Sequence, residues 1–177
     1  MARRRYRRRY RKRGTWCSNI RELNTGSGSI IENTGTGVFS GTATLITNPN
    51  NNYEGANQMF TVKNVEATIS ASGNLTRIND VQYYVMYVPQ GMNVASDYNE
   101  KHPEYILTYR YLGEPNYVDT SVAEGRNLIK MKSRLARKLN TGDSIILFVK
   151  AYDTGLGSTG SISLKVSGVI RWWSKAN

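Results

Sequence analysis

One cysteine, Cys17, and one histidine, His102, are the only residues of their kind among 177. An intramolecular disulfide is therefore impossible, and so is a metal centre built from several Cys and His ligands. The chain suits a reducing compartment, while a bridge between two copies through Cys17 stays open. No apolar run approaches the roughly 20 residues of a membrane-spanning helix. The basic start is followed by GTWCSNIRELNTGSGS at 14–29, which holds no hydrophobic segment of signal-peptide length. Neither a secretory signal nor membrane insertion is expected. A mitochondrial presequence would also be rich in arginine and poor in acids, but it needs serines and an apolar helix face that RRRYRRRYRKR does not offer.

Catalytic patterns are scarce as well. The 13 acidic residues fall in no recognisable motif. His102 stands two residues from Glu104, a pairing that can do acid–base chemistry or hold a metal. A loop histidine fixed by its neighbour Pro103 is the plainer account. Cys17 has only that one histidine as a possible partner, a weak basis for a nucleophile. NTGSGS, NTGTG and TGLGSTG lack the GxxxxGK[ST] pattern of a phosphate loop, and turns between strands explain their glycines better. The sequence predicts no enzyme, no cofactor and no metal.

Positive charge is abundant, and it is local. Nine of the 24 Lys and Arg residues lie between Arg3 and Arg13, so the remainder carries 15 bases against 13 acids and nets only +2. The nine are Arg3, Arg4, Arg5, Arg7, Arg8, Arg9, Arg11, Lys12 and Arg13, interrupted by Tyr6 and Tyr10. So dense a block of like charge offers nothing to bury, and residues 1–14 are expected to lack stable structure until a polyanion neutralises them. Residues 15–177 then form one domain, long enough for a real core.

On single-stranded nucleic acid, nine phosphate contacts would give a log–log salt dependence of about −6 with little sequence preference. Arginine grips phosphate with a planar fork and also stacks on bases. Tyr6 and Tyr10 can stack on unpaired bases, which would favour single strands, or can merely space the charges. The same nine cations suit a nuclear import signal, with host import receptors as partners.

The body is rich in Thr, Ser, Asn, Gly, Val, Ile and Tyr, with turn clusters NTGSGS, ENTGTG, NPNNN and SASGN between short apolar runs. That pattern predicts an all-β sandwich or barrel. SISLKVSGVIRWW at 161–173 alternates, with Ile162, Leu164, Val166, Ile170 and Trp172 on one face and Ser161, Ser163, Lys165, Ser167 and Arg171 on the other. VQYYVMYV at 81–88 and SIILFVKAY at 144–152 are apolar on both faces, as central strands covered on both sides would be. In MFTVKNVEATIS the apolar phase shifts between Val62 and Val65, which predicts a bulge. YILTYRYL at 105–112 suits a strand entered through His102-Pro103. Tyr83, Tyr84 and Tyr87 read as packed core or interface before base-stacking platform.

A second basic cluster spans Lys130, Lys132, Arg134, Arg137 and Lys138. Residues 130–139 can start a helix, but on a strand Lys130, Lys132 and Arg134 would share one face open to phosphate. A solvated face or salt bridges between subunits are equally compatible.

VQYYVMYVPQGM at 81–92, HPEYILTYRYLGEP at 102–115 and SRLARKLNTGDSIILF at 133–148, together with the basic arm, resemble capsid proteins of circovirus-like, Rep-encoding viruses with circular single-stranded DNA. The resemblance implies a single eight-stranded antiparallel jelly roll. It also implies a homo-oligomer of about sixty copies in a small T=1-like icosahedral shell. The arm from Arg3 to Arg13 would then package single-stranded DNA, or RNA in heterologous expression, and serve import into the host nucleus before the protein ends in the virion. The loops around Pro89–Tyr98 and Glu114–Arg126 correspond to connections that form surface and subunit contacts in such shells. A cellular nucleic-acid-binding module of ribosomal type is the alternative, though it predicts basic residues spread over the body.

Overall fold

A computed structural model describes residues 15–24, 30–33, 37–48, 59–73, 78–112, 128–153 and 162–176. The arm and the Glu114–Arg126 connection lie outside the described residues, as do the NPNNN and TGLGSTG glycine and asparagine stretches apart from Asn48.

Ten strands are described: β1 Cys17–Asn24, β2 Ile31–Asn33, β3 Gly37–Thr47, β4 Phe60–Gly73, β5 Ile78–Val88, β6 Ile106–Tyr111, β7 Leu128–Ser133, β8 Arg137–Leu139, β9 Ser144–Asp153 and β10 Ile162–Ala176. A four-residue helix α1, Tyr98–Lys101, and a 3-10 turn at Pro103–Tyr105 are the helical elements among the described residues. The fold is all-β, as its composition predicts. The stretch at 130–139 forms β7 and β8 instead of a helix, because alternate residues Ile129, Met131 and Ser133 are buried and the residues between them are exposed. The SASG stretch likewise ends β4 instead of forming a turn.

Two antiparallel sheets form the sandwich. The first has the order β1-β10-β4-β7, with the short β2 beside β10 and the short β8 beside β4; the second has the order β3-β9-β5-β6. With the two three-residue strands set aside, four long strands remain in each sheet, and of these only β5 and β6 are consecutive along the chain and paired with each other. The chain otherwise crosses between sheets, so each sheet is built from segments distant in sequence.

Facing side chains of the two sheets make the main core, which includes Leu45, Val62, Ile69, Val85, Leu147, Val149, Leu164 and Ile170. β10 earns its place by the expected alternation: Leu164, Val166 and Ile170 are buried, while Lys165, Ser167, Val169 and Arg171 are exposed. Gly168 interrupts the inward row because a Cβ there would lie 2.2 Å from the carbonyl oxygen of Thr68. The bulge expected in β4 is present. Glu66 pairs with Arg171 and Lys63 with Trp173, so Asn64 and Val65 together oppose Trp172, and Asn64 takes a left-handed φ of 50°.

β5 and β9 are central in the second sheet and are buried on both faces. Their inner face joins the main core, and their outer face carries Met86, Val88, Ile146 and Phe148, flanked by Ile106 of β6 and packed with Val94, Tyr98 and Tyr105. The Pro89–Tyr98 loop thus helps to cover this sheet. Buried Asp143 fastens the end of the sandwich: its carboxylate accepts from the Tyr87 hydroxyl at 2.7 Å, the Asn140 N–H at 2.8 Å and the Gln90 N–H at 3.0 Å.

Candidate nucleic-acid interface

Outward residues of the first sheet follow from its registers. On β7, Lys130 and Lys132 point away from buried Ile129 and Met131, as a strand reading requires. Arg134 is exposed but lies past the end of β7, so it follows the pair instead of continuing the strand row. Lys132 stands opposite Glu66 on β4 and forms an ion pair with it within the same chain. The hydrogen bond and charge of Lys132, with Arg171 adding to them, hold the Glu66 carboxyl below the usual carboxylate range.

The same face carries far more charge than this cluster. Register across the sheet puts Lys130 beside Thr68, Thr68 beside Val169, Lys63 beside Trp173, and Thr61 between Lys175 and Lys138. Lys165 and Arg171 lie on the exposed side of β10. Among the described side chains the outer face of the first sheet therefore presents seven cations, Lys63, Lys130, Lys132, Lys138, Lys165, Arg171 and Lys175, against two carboxylates, Glu22 and Glu66. Those described side chains net +5, although residues 14–177 as a whole sum to only +2. Thr15 and Trp16 lead directly into β1 at the edge of this sheet, so the arm is covalently attached beside the basic face.

Apolar groups are interspersed. Ile20, Leu128, Val169 and Trp173 are all exposed here. The ammonium of Lys63 sits 3.9 Å from the centre of the Trp16 ring, a cation–π contact.

The candidate tyrosines lie in the second sheet, packed among their neighbours. Tyr83 is fully buried, Tyr84 stacks on Tyr109 with ring centres 6.0 Å apart, and Tyr87 is tied to Asp143. Burial pushes the hydroxyls of all three above the ordinary tyrosine range. His102 Nδ1 lies 3.3 Å from Glu104 Oε1, and its ring stacks on Tyr105 at 5.2 Å. Among the described residues no group of three or more His, Cys, Asp or Glu side chains is placed to hold a metal ion. Cys17 is exposed on β1. No described helix is long and apolar enough to cross a membrane.

Sequence reading missed Lys63, Lys175, Trp16 and Trp173 as members of one surface with the Lys130–Lys138 cluster. Alternation in β10 already put Lys165 and Arg171 on its polar side, but nothing in the linear order placed β4 and β7 next to it. Compared with protein-family models and with curated proteins, the chain matches none.

Proposed function

We propose that this chain is a capsid protein that assembles into a small icosahedral shell and packages single-stranded DNA. The observation that carries the reading is the strand order, β1-β10-β4-β7 facing β3-β9-β5-β6, which supports an eight-stranded jelly roll with two short additional strands. The rigid sandwich supplies the wall in about sixty equivalent copies. The arm, Arg3 to Arg13, together with Lys130 and Lys132 on the first sheet, supplies the contacts to phosphate. Arm cations also serve nuclear import, which places assembly in the host nucleus and the product in the virion.

Expression of the full chain, followed by sedimentation and particle imaging, tests this directly. Uniform shells containing nucleic acid are expected; a strictly monomeric product across salt and pH would overturn it. Deleting residues 1–13 should leave a cooperatively folding body, because the main core is drawn from Leu23 onward, and should sharply reduce nucleic acid per particle. Unchanged content would transfer packaging from the arm to the sheet.

The basic outer face of the first sheet also favours a second reading, a monomeric nucleic-acid-binding module with a basic tail. Sedimentation separates the two, since only the capsid reading requires assembly.

A further inference from the structure

Three tryptophans sit at one end of the first sheet, and their environments differ. Trp172 packs against the main core. Trp16 is half-buried, with one ring face occupied by the Lys63 ammonium. Trp173 has neither arrangement: it is 41% exposed on the outer face.

Cations surround it. Lys63 is its register partner on β4, Arg171 and Lys175 are its same-face neighbours along β10, and Ser18 is its partner on β1. Cross-strand partners lie about 5 Å apart and alternate residues of a strand about 7 Å apart, within the reach of long side chains. The exposed part of the indole leaves an apolar, aromatic surface in water. With Lys63, Arg171 and Lys175 as its neighbours in the same face of the sheet, it suits a ligand that is flat and apolar on one part and anionic on the next.

We propose that Trp173 is a stacking site for an unpaired nucleobase, with Lys63, Arg171 and Lys175 holding the flanking phosphates. The base lies on the indole face, and the sheet reads no sequence, because every base offers a π-face. Duplex does not fit this site, since its bases are already stacked on one another. The arm's attachment beside β1 keeps a strand captured by the arm close to the indole. This inference rests on the nucleic-acid reading above and adds the strandedness of the ligand and the residue that senses it.

The test compares a thymidine oligomer with an abasic phosphodeoxyribose oligomer of equal length, which has the same backbone charge but no bases. With the full chain, the thymidine oligomer should bind about tenfold tighter, the worth of one stacked base. Trp173→Leu should remove most of that preference while leaving abasic affinity nearly unchanged, and Trp173→Phe should retain it. An unchanged preference in Trp173→Leu overturns the inference, because Tyr6 and Tyr10 of the arm would then be the stacking groups. Loss of self-association with the preference intact also overturns it and makes the face a contact between copies. Should Trp173→Leu fail to fold, tryptophan emission of the unaltered chain decides: quenching by the thymidine oligomer alone supports the site, and equal quenching by both oligomers overturns it. If neither oligomer binds at low salt, the nucleic-acid reading falls together with the inference. If both bind without discrimination, only the inference falls.

Discussion

Neutralising the sheet while leaving the arm intact separates two sources of affinity that a simple binding constant would merge. Lys63, Lys130 and Lys175 lie on three different strands of the first sheet and make no carboxylate ion pair among the described residues. Each phosphate contact on a single strand contributes about −0.7 to the log–log dependence of affinity on salt, so the arm's nine cations account for about −6 and these three lysines for about −2 more. The triple variant Lys63→Gln, Lys130→Gln, Lys175→Gln should therefore make the slope of the full chain shallower by about 2. Doubling the salt from about 0.1 M to about 0.2 M would then weaken the unaltered chain about fourfold more than the variant. Fluorescence anisotropy with a labelled thymidine oligomer across a salt series measures this. Lys101→Gln is the control, because Lys101 lies on α1 over the second sheet and already pairs with Asp97 at 2.7 Å. A slope unchanged by the triple variant, or changed equally by the control, would refute the assignment of the face to nucleic acid.

Glu66→Gln should act in the opposite direction. It removes the partner of Lys132 and should steepen the same slope by about 0.7, while this exposed pair contributes no more than about 1 kcal/mol to folding; an unchanged slope would mean that Lys132 does not reach phosphate. Asp143→Ala leaves the Tyr87 hydroxyl and the Gln90 and Asn140 N–H groups without their acceptor, at a cost of about 3–5 kcal/mol in urea unfolding, and a loss below about 1 kcal/mol would show that water replaces the carboxylate. Alkaline pH should unfold the sandwich through its tyrosines. Burial pushes Tyr98 up to about 12 and raises Tyr83, Tyr84 and Tyr87 as well. Since the folded values exceed the unfolded one near about 10, their contribution is intact below that pH and declines as pH rises through the folded values. Ultraviolet titration should resolve these from exposed tyrosines, and a single ionisation step with native circular dichroism retained would refute it.

What the sequence revealed depended on how each strand meets its surroundings. β10 was legible because one side faces the core through Leu164, Val166 and Ile170 and the other faces water, which imposes period two. β5 and β9 were legible as covered strands because both of their faces are packed. Their outer cover was not, since Val94, Tyr98 and Tyr105 are scattered through a loop, one turn of helix and a 3-10 turn with no shared period. The bulge in β4 left a trace because an inserted residue shifts the apolar phase. The basic face left none. Lys63, Lys130 and Lys175 are distant in the chain and meet only through the pairing of β4 with β7, β8 and β10. Counting charge over the whole body averages them against acids such as Asp80, Asp97, Glu100 and Glu104, which lie on or over the second sheet.

That averaging is physically misleading, and the geometry shows why. Packed sheets lie about 10 Å apart before side chains are added, already more than the roughly 8 Å Debye length at physiological salt. Exposed charges on one face are therefore screened from those on the other. Asp80 sits on β5, where it accepts from the Tyr111 hydroxyl, while Asp97, Glu100 and Glu104 sit on or beside the helical cover of the second sheet. None of these four acids cancels the field at the first sheet, whose described outward side chains net +5. A division of labour follows for the two cationic elements. On the proposed reading the nine cations between Arg3 and Arg13 capture a strand by charge alone, with little sequence preference. The sheet carries its cations in register and leaves one indole exposed on the same face. If capture belongs to the arm and positioning to the sheet, as proposed, arm substitutions should chiefly change the salt slope, whereas Trp173→Leu should change base discrimination with the slope preserved.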